Sequence, residues 1–377
     1  MFKFEIIKQS KKSRARVAQI VTPHGNIITP AFLAVATQGI VKGGVDFEDL
    51  EKINLQAQII NTFHLFDLGV VPLIKKAGGV HNFFNFPKPI FSDSGGFQIL
   101  SLGKRLTQGL GKIFVANNNF FQPKKGLVKI LKTGVFFNSP RDGTKVFLTP
   151  EKVLQIQQNL GVDFAYLLDI CGTPFDDYQT AKKEMELTHQ WFLRALKLKR
   201  KKNQEIFAII QGGVYQDLRE KATEFVNQLD VFGIAIGGAL GKTKKELYQI
   251  INWVNKKIDF SRPHHLLGIG SLDSLEKIIS LGVDLFDCTQ PTRLARHATA
   301  LTSKGEINLK KSSFKKDFKP LEKKCQCPTC QNWSKSQIHY LLKAKEMLAI
   351  KLLTLHNLFF LEEKLKKVRE KILMSKL

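Results

Sequence analysis

The sequence predicts an α/β protein whose eight parallel strands close into a (β/α)8 TIM barrel, followed by a separate C-terminal subdomain. Eight short apolar runs recur between residues 28 and 291, each followed by a helical segment. Near-continuous apolar strands alternating with helices imply parallel pairing with both faces covered. Eight of them favour closure over an open doubly wound sheet. Beyond residue 297 the alternation stops, and a basic segment leads into a cysteine cluster and helix.

Taken in order, residues 1–27 read as an N-terminal hairpin, Phe4 to Lys8 and Arg14 to Thr22, turning at His24-Gly25-Asn26 and capping the barrel's bottom. The barrel spans 28–300. Its runs are Ile28 to Thr37, Gln56 to His64, Pro89 to Gly96, Val162 to Ile170, Ile206 to Gly213, Gly233 to Gly238, His264 to Gly270 and Val283 to Gln290. Polar residues gather at their C-terminal ends, where such barrels keep their active sites. These ends are Asn61-Thr62-Phe63-His64, Asp93-Ser94-Gly95-Gly96, Asp169, Gln211-Gly212-Gly213, Gly237-Gly238, Gly268-Ile269-Gly270 and Asp287. A carboxylate ending one strand is often a helix cap. Three at one mouth, with a glutamine and several glycines, point to a site.

Residues 301–377 form the appended subdomain. Three of the chain's five cysteines crowd into Cys325-x-Cys327-x-x-Cys330, and His356 follows in a lysine-rich helix. Three thiolates and one imidazole make a filled tetrahedral shell for one structural zinc ion. A redox or merely buried thiol cluster is the alternative. A filled shell leaves the metal no open position, so the chemistry belongs to the barrel.

A formal net charge of +25 with pI near 9.8 implies a polyanionic partner, most simply nucleic acid. A lysine-biased genome accounts for the magnitude equally well. No apolar run is long enough to cross a bilayer, and the N-terminus lacks a secretory h-region. With a cluster that needs reduced thiols, this places the protein in the cytoplasm, without membrane contact.

The mouth lacks the His-x-His strand end of metal-dependent hydrolases, and His64 stands alone. Gly237-Gly238 and Gly268-x-Gly270 allow a phosphate-binding loop, but weakly. Two aspartates with a basic surface suggest displacement at a sugar carbon, one carboxylate attacking and the other managing the proton. A third carboxylate beside a glutamine suits a purine edge.

Several segments together resemble the tRNA-guanine transglycosylases, also called queuine tRNA-ribosyltransferases, of bacterial type. They are Phe91-Ser92-Asp93-Ser94-Gly95-Gly96-Phe97-Gln98, Asn61 to Leu65, Ile210-Gln211-Gly212, Leu285-Phe286-Asp287-Cys288-x-x-Pro291-Thr292-Arg293-x-x-Arg296 and the Cys3His set. The resemblance runs from about residue 2 to about residue 370. It implies a homodimeric zinc-containing barrel that exchanges the wobble guanine of G-U-N anticodon tRNAs for a 7-deazaguanine. Asp287 would be the nucleophile and Asp93 the general acid/base. Ser94, Gly95, Gly96, Phe97, Asp169, Gln211 and Gly238 would receive the base. Gly268, Ile269, Gly270, Ser271, Leu272, Asp273 and Ser274 would contact the RNA, as would Thr292, Arg293, Leu294, Ala295 and Arg296. A non-catalytic RNA-binding partner subunit on the same barrel is the alternative, set against intact Asp93 and Asp287 motifs.

Three features depart from the family pattern. The segment from Lys104 to Lys132 is long and rich in Asn, Phe and Lys. Ile170 follows Asp169 where an acidic residue is usual. The loop Gly237 to Lys242 is one residue short and carries Lys242 in place of a glutamate. In the family that glutamate supports a peptide facing an aminomethyl ammonium, so its loss is expected to weaken preference for 7-aminomethyl-7-deazaguanine and to admit queuine.

Overall fold

The computed structural model describes residues 1–103 and 128–377. An antiparallel sheet comes first, with β1 (Lys3–Gln9), β2 (Arg16–Thr22) and β3 (Gly25–Thr29) in the order β1-β2-β3. The expected hairpin therefore gains a third strand, because the chain turns at Gly25 and pairs Ile27 with Ile20 before entering the barrel. Three barrel strands follow: β4 (Ala31–Ala36), β5 (Ala57–Asn61) and β6 (Ile90–Asp93). A small antiparallel sheet, β7 (Val128–Leu131), β8 (Gly134–Asn138) and β9 (Lys145–Leu148), intervenes. The remaining barrel strands are β10 (Phe164–Tyr166), β11 (Glu205–Ile210), β12 (Gly233–Ile236), β13 (His264–Leu266) and β14 (Leu285–Cys288). All eight pair in parallel, and β14 closes onto β4 with Asp287 opposite Leu33.

The barrel interior is filled, as the apolar runs require. Phe91 and Phe164 stack at 4.4 Å, Tyr166 and Phe207 at 5.0 Å, and Phe2 closes edge-on against Phe164 from the N-terminal sheet. The same sheet is tied to the barrel's base by the buried Arg16–Asp284 ion pair at 2.7 Å. Arg16 also donates to the Arg262 carbonyl, and Asp284 accepts from His264 N, so neither buried charge lacks partners.

Past the barrel, β15 (Thr299–Thr302) and β16 (Gly305–Asn308) form a hairpin that the sequence reading took for part of a basic, helix-bound segment. Thr299, Ala300 and Leu301 alternate with too few residues for their period to stand out. Helices Pro328–Asn332 and Lys335–Lys343 lead to the long helix Met347–Leu373. That helix buries Leu353, Leu361 and Leu365 completely and packs on the short helix Gln290–Arg296 that follows β14. The long Lys104 to Lys132 segment lies outside the described residues up to 127, and its last part supplies β7.

Candidate active site and metal centre

Strand β6 ends at Asp93, whose Cα partner on β5 is Asn61. The Asn61 amide donates to Asp93 Oδ2 at 2.6 Å, and the backbone N–H groups of Gly95 and Thr62 donate to Oδ1 at 3.1 and 3.2 Å. Asn61 also caps the helix Thr62–Asp67 by accepting from His64 N. Burial raises the Asp93 carboxyl to about 7, the Thr62 N–H opposes that shift, and the negative charge of Asp287 adds to it. The two carboxylates therefore sit near enough to feel each other across the mouth.

Asp287 is on β14, beside β13. Its Oδ1 accepts from Gly268 N at 2.7 Å, and His265 Nε2 lies 3.1 Å from the same oxygen. Tyr166 fills the interior behind them, its hydroxyl 2.6 Å from His265 Nδ1. Burial first, and then the charges of Asp287 and Asp93, push the Tyr166 hydroxyl well above its ordinary value, so it stays protonated.

Asp169 follows β10 and is buried. Its Oδ1 accepts from the Ser94 hydroxyl at 2.8 Å and its Oδ2 from the Gln211 amide at 2.6 Å. A Cβ at Gly96 would stand 2.6 Å from the Asp169 carbonyl oxygen and 2.8 Å from Oδ1. At Gly238, with φ of +72°, a side chain would collide with Gln211 Oε1. The backbone is thus bare wherever it meets the acceptor–donor pair. Phe97 is half-buried in the first turn of helix Gly96–Gly103.

Arg219 holds this end of the barrel together, and nothing in the sequence singled it out. It is fully buried and donates to the carbonyls of Gly213, Ile210, Gly237 and Ala239 at 2.6–3.0 Å. Burial lowers its pKa to about 10, which still leaves it charged near neutrality. Tyr166 and His265 likewise lie outside the strand-end motifs, whereas Asn61 stands among the polar strand ends that the sequence places at the mouth. A buried polar residue inside an apolar strand, as in Phe164-Ala165-Tyr166 or His264-His265-Leu266, is the signal that marks such positions.

A cavity of about 1100 Å³ opens beside Asp287's strand end. Gly268, Ile269, Gly270, Ser271, Leu272 and Asp273 line it together with Arg293, Lys242, Lys244, Lys324, Lys364 and Lys367. Asp93, Asp169 and Asp287 itself lie outside its lining, which on that strand begins at Cys288; a much smaller cleft meets Gly96 and Asp169. Arg293 and the exposed Arg296 are close enough for the first to depress the second, after burial. Thr292, Ala295 and Ser274 are buried beneath this surface, while Leu294 is half-buried. The short loop carries a further surprise: Glu246 Oε2 accepts from Lys242 N at 2.7 Å, and Lys242 Nζ sits 4.4 Å over the Phe175 ring. An acidic side chain therefore does support the loop, supplied from the following helix.

Cys325, Cys327, Cys330 and His356 converge, all buried. Their Sγ atoms stand 3.8, 3.5 and 3.3 Å from His356 Nδ1. A zinc tetrahedron with ordinary Zn–S and Zn–N bonds has an S···N edge of about 3.6 Å. His356 Nε2 lies 2.8 Å from the Leu301 carbonyl, a contact that puts the proton there and turns the Nδ1 lone pair toward the thiols. The donor set fits one metal ion, and zinc suits it. Asn357, next on the helix, donates to the carbonyls of Pro291 and Thr299 and accepts from Leu301 N. The Cys3His cluster is thereby braced against the helix carrying Arg293 and Arg296. No described helix is long and apolar enough to cross a membrane.

The family model for queuine tRNA-ribosyltransferase matches residues 10–377. A relative of that name in Protochlamydia amoebophila (strain UWE25) is 40% identical over 375 residues, covering 98% of this chain and 95% of its own. Others in Dictyoglomus turgidum (strain DSM 6724 / Z-1310) and Thermoanaerobacter sp. (strain X514) are each 39% identical; they cover 98% and 100% of this chain, and 90% and 94% of their own. An eight-stranded barrel with carboxylates at its mouth, a Cys3His cluster and a match over nearly every residue lead to one conclusion: the chain is a pentosyltransferase belonging to the queuine tRNA-ribosyltransferase family.

Proposed function

We propose that the protein exchanges the wobble guanine of G-U-N anticodon tRNAs (those for Asp, Asn, His and Tyr) for a 7-deazaguanine, through a covalent aspartyl-ribosyl intermediate. The observation that carries this reading is the unequal pair of carboxylates: Asp287 held at Oδ1 by the Gly268 N–H, Asp93 raised to about 7. Asp287 Oδ2 bonds to C1′ of the ribose as the C1′–N9 bond breaks, its electron pair leaving with guanine. Protonated Asp93 gives a proton to a ring nitrogen of the departing base. The incoming base returns a proton to Asp93, its N9 bonds to C1′, and the Asp287 carboxylate is released.

Asp169 and Gln211 offer the acceptors and donor for a guanine-type edge, with Ser94, Gly95, Gly96 and Gly238 letting the ring approach, and Phe97 beside it. The cavity lined by Gly268 to Asp273 and Arg293, with Ser274, Thr292, Leu294, Ala295 and Arg296 supporting or flanking it, would receive the anticodon loop. A single-stranded loop makes extrusion of the target base inexpensive. Zinc at Cys325, Cys327, Cys330 and His356 would supply structure alone. The exposed Tyr340 and Met347 of the same subdomain suit a homodimer contact, and reduced thiols suit the cytoplasm. Because Glu246 supports the loop at Lys242, the bacterial aminomethyl base remains a substrate, and admission of queuine rests on the shorter loop alone.

Incorporation of labelled guanine into unmodified tRNA tests the reaction, with Asp287→Ala as control. Loss of both exchange and denaturant-resistant protein–RNA adduct is expected. Undiminished adduct in the variant would remove Asp287 from its role.

A further inference from the structure

We propose that His265 is a positioning residue for the Asp287 nucleophile, held in a single tautomer by Tyr166. This rests on the covalent reading above and deepens it. His265 is fully buried, and among the described residues its Nε2 has no conventional hydrogen-bond partner. Asp287 Oδ1 stands 3.1 Å from it. The ring is walled by Tyr166 and Phe91, whose centroids lie 5.8 and 6.3 Å away edge-on, so it has no path to solvent.

Both ends of the imidazole dictate the same proton placement. Tyr166 keeps its proton, because it is buried and faces two carboxylates. Its hydroxyl, 2.6 Å from Nδ1, donates to that nitrogen. The imidazole proton then belongs on Nε2, aimed at Asp287. The other tautomer would set a bare lone pair against a carboxylate oxygen. A chain therefore runs Tyr166 to His265 to Asp287: the Nε2 that carries the proton stands 3.1 Å from the Oδ1 that accepts from Gly268 N–H, ready to close on it as charge grows there. With Gly268 N–H bonded to Oδ1 and His265 beside it, rotation of the carboxylate about its Cβ–Cγ bond is opposed.

The consequence falls on the second half of the exchange. When Oδ2 is bonded to C1′, Oδ1 is the carbonyl oxygen of an ester. As N9 of the incoming base bonds to C1′, the C1′–Oδ2 bond breaks and its electron pair returns to the carboxylate. Charge then builds on Oδ1, where the Gly268 N–H already donates and His265 Nε2 stands 3.1 Å away to join it, as in other preorganised anion sites.

Replacing His265 with Phe keeps the ring and removes the donor. We expect kcat to fall roughly tenfold to hundredfold, the KM for tRNA to stay within about twofold, and adduct to accumulate at steady state. His265→Gln places an amide N–H near the Nε2 position and should recover most of the loss. Tyr166→Phe should slow the wild-type enzyme by about tenfold yet add nothing in the His265→Gln background, where no tautomer needs fixing. A purely packing role would make Phe and Gln equally harmful, or move KM instead, and either result overturns the proposal. So does a His265→Phe enzyme within about twofold of wild-type kcat. If His265→Phe fails to fold, the Tyr166→Phe comparison in the two backgrounds decides alone. Should Asp287→Ala still trap RNA, the covalent reading itself falls, whatever His265 does.

Discussion

The Asn61 side-chain amide donates to Asp93 Oδ2 at 2.6 Å, from the residue that faces Asp93 across the β5–β6 pairing. This bond favours the ionised carboxyl and opposes the burial that raises its pKa to about 7. Asn61→Ser keeps a helix-capping oxygen but loses the reach to Asp93. The Asp93 pKa should then rise further. If protonated Asp93 serves guanine release, the single-turnover rate of the wild type is expected to fall as pH passes about 7, and the midpoint should move to higher pH in the variant. An unmoved midpoint would separate Asp93 from the proton transfer.

The same shift has a sign for stability. The folded state holds the Asp93 carboxyl above its ordinary 3.8, so its folded form binds the proton more tightly than the unfolded chain. Its contribution is fully present below pH 3.8 and is lost as pH rises toward about 7. Urea midpoints measured across that window should show Asp93→Ala progressively less disadvantaged as pH increases.

Gly238→Ala should damage base binding without touching RNA binding. The added methyl meets Gln211 Oε1, and φ of +72° costs on the order of 1 kcal/mol for a residue with a Cβ. A rise in the KM for the incoming base of roughly tenfold or more is expected, with tRNA affinity within about twofold. Filter binding of tRNA beside base-exchange kinetics would separate the two.

Arg219→Met removes the guanidinium donor from four buried carbonyls at and beyond the ends of β11 and β12, of which Ile210 keeps the Gly237 N–H. The expected loss is at least about 3 kcal/mol in urea unfolding. A surviving fraction should show weakened use of the base, because Gln211 and Gly238 ride on those two strand ends. A variant as stable as wild type would show that water replaces the guanidinium.

Removing the metal should act at a distance through Asn357. His356→Ala is expected to lower metal content from one ion toward none and to reduce folded yield. In protein that remains folded, proteolysis should open near the Gln290–Arg296 helix before the barrel strands, since Asn357 holds the Pro291 carbonyl. Unchanged metal content would discard the quartet.

The sequence determined the barrel and the two chemical centres. Eight apolar runs became eight parallel strands because residues buried on both faces leave little choice of partner. Cys325, Cys327 and Cys330 announced a metal cluster through local spacing, and the carboxylates at 93, 169 and 287 stood out against apolar strands. Tertiary structure decided what no local pattern holds. His265 and Tyr166 are 99 positions apart and meet because β10 and β13 share a filled interior. Arg219 reads as one more surface cation on an amphipathic helix until four carbonyls from two strand ends are seen around it. Glu246 restores to the short loop an acidic support that its letters lack. Such couplings depend on where closure of the barrel brings chain ends together, and the register of distant strands is a property of the whole packed wall rather than of any segment within it.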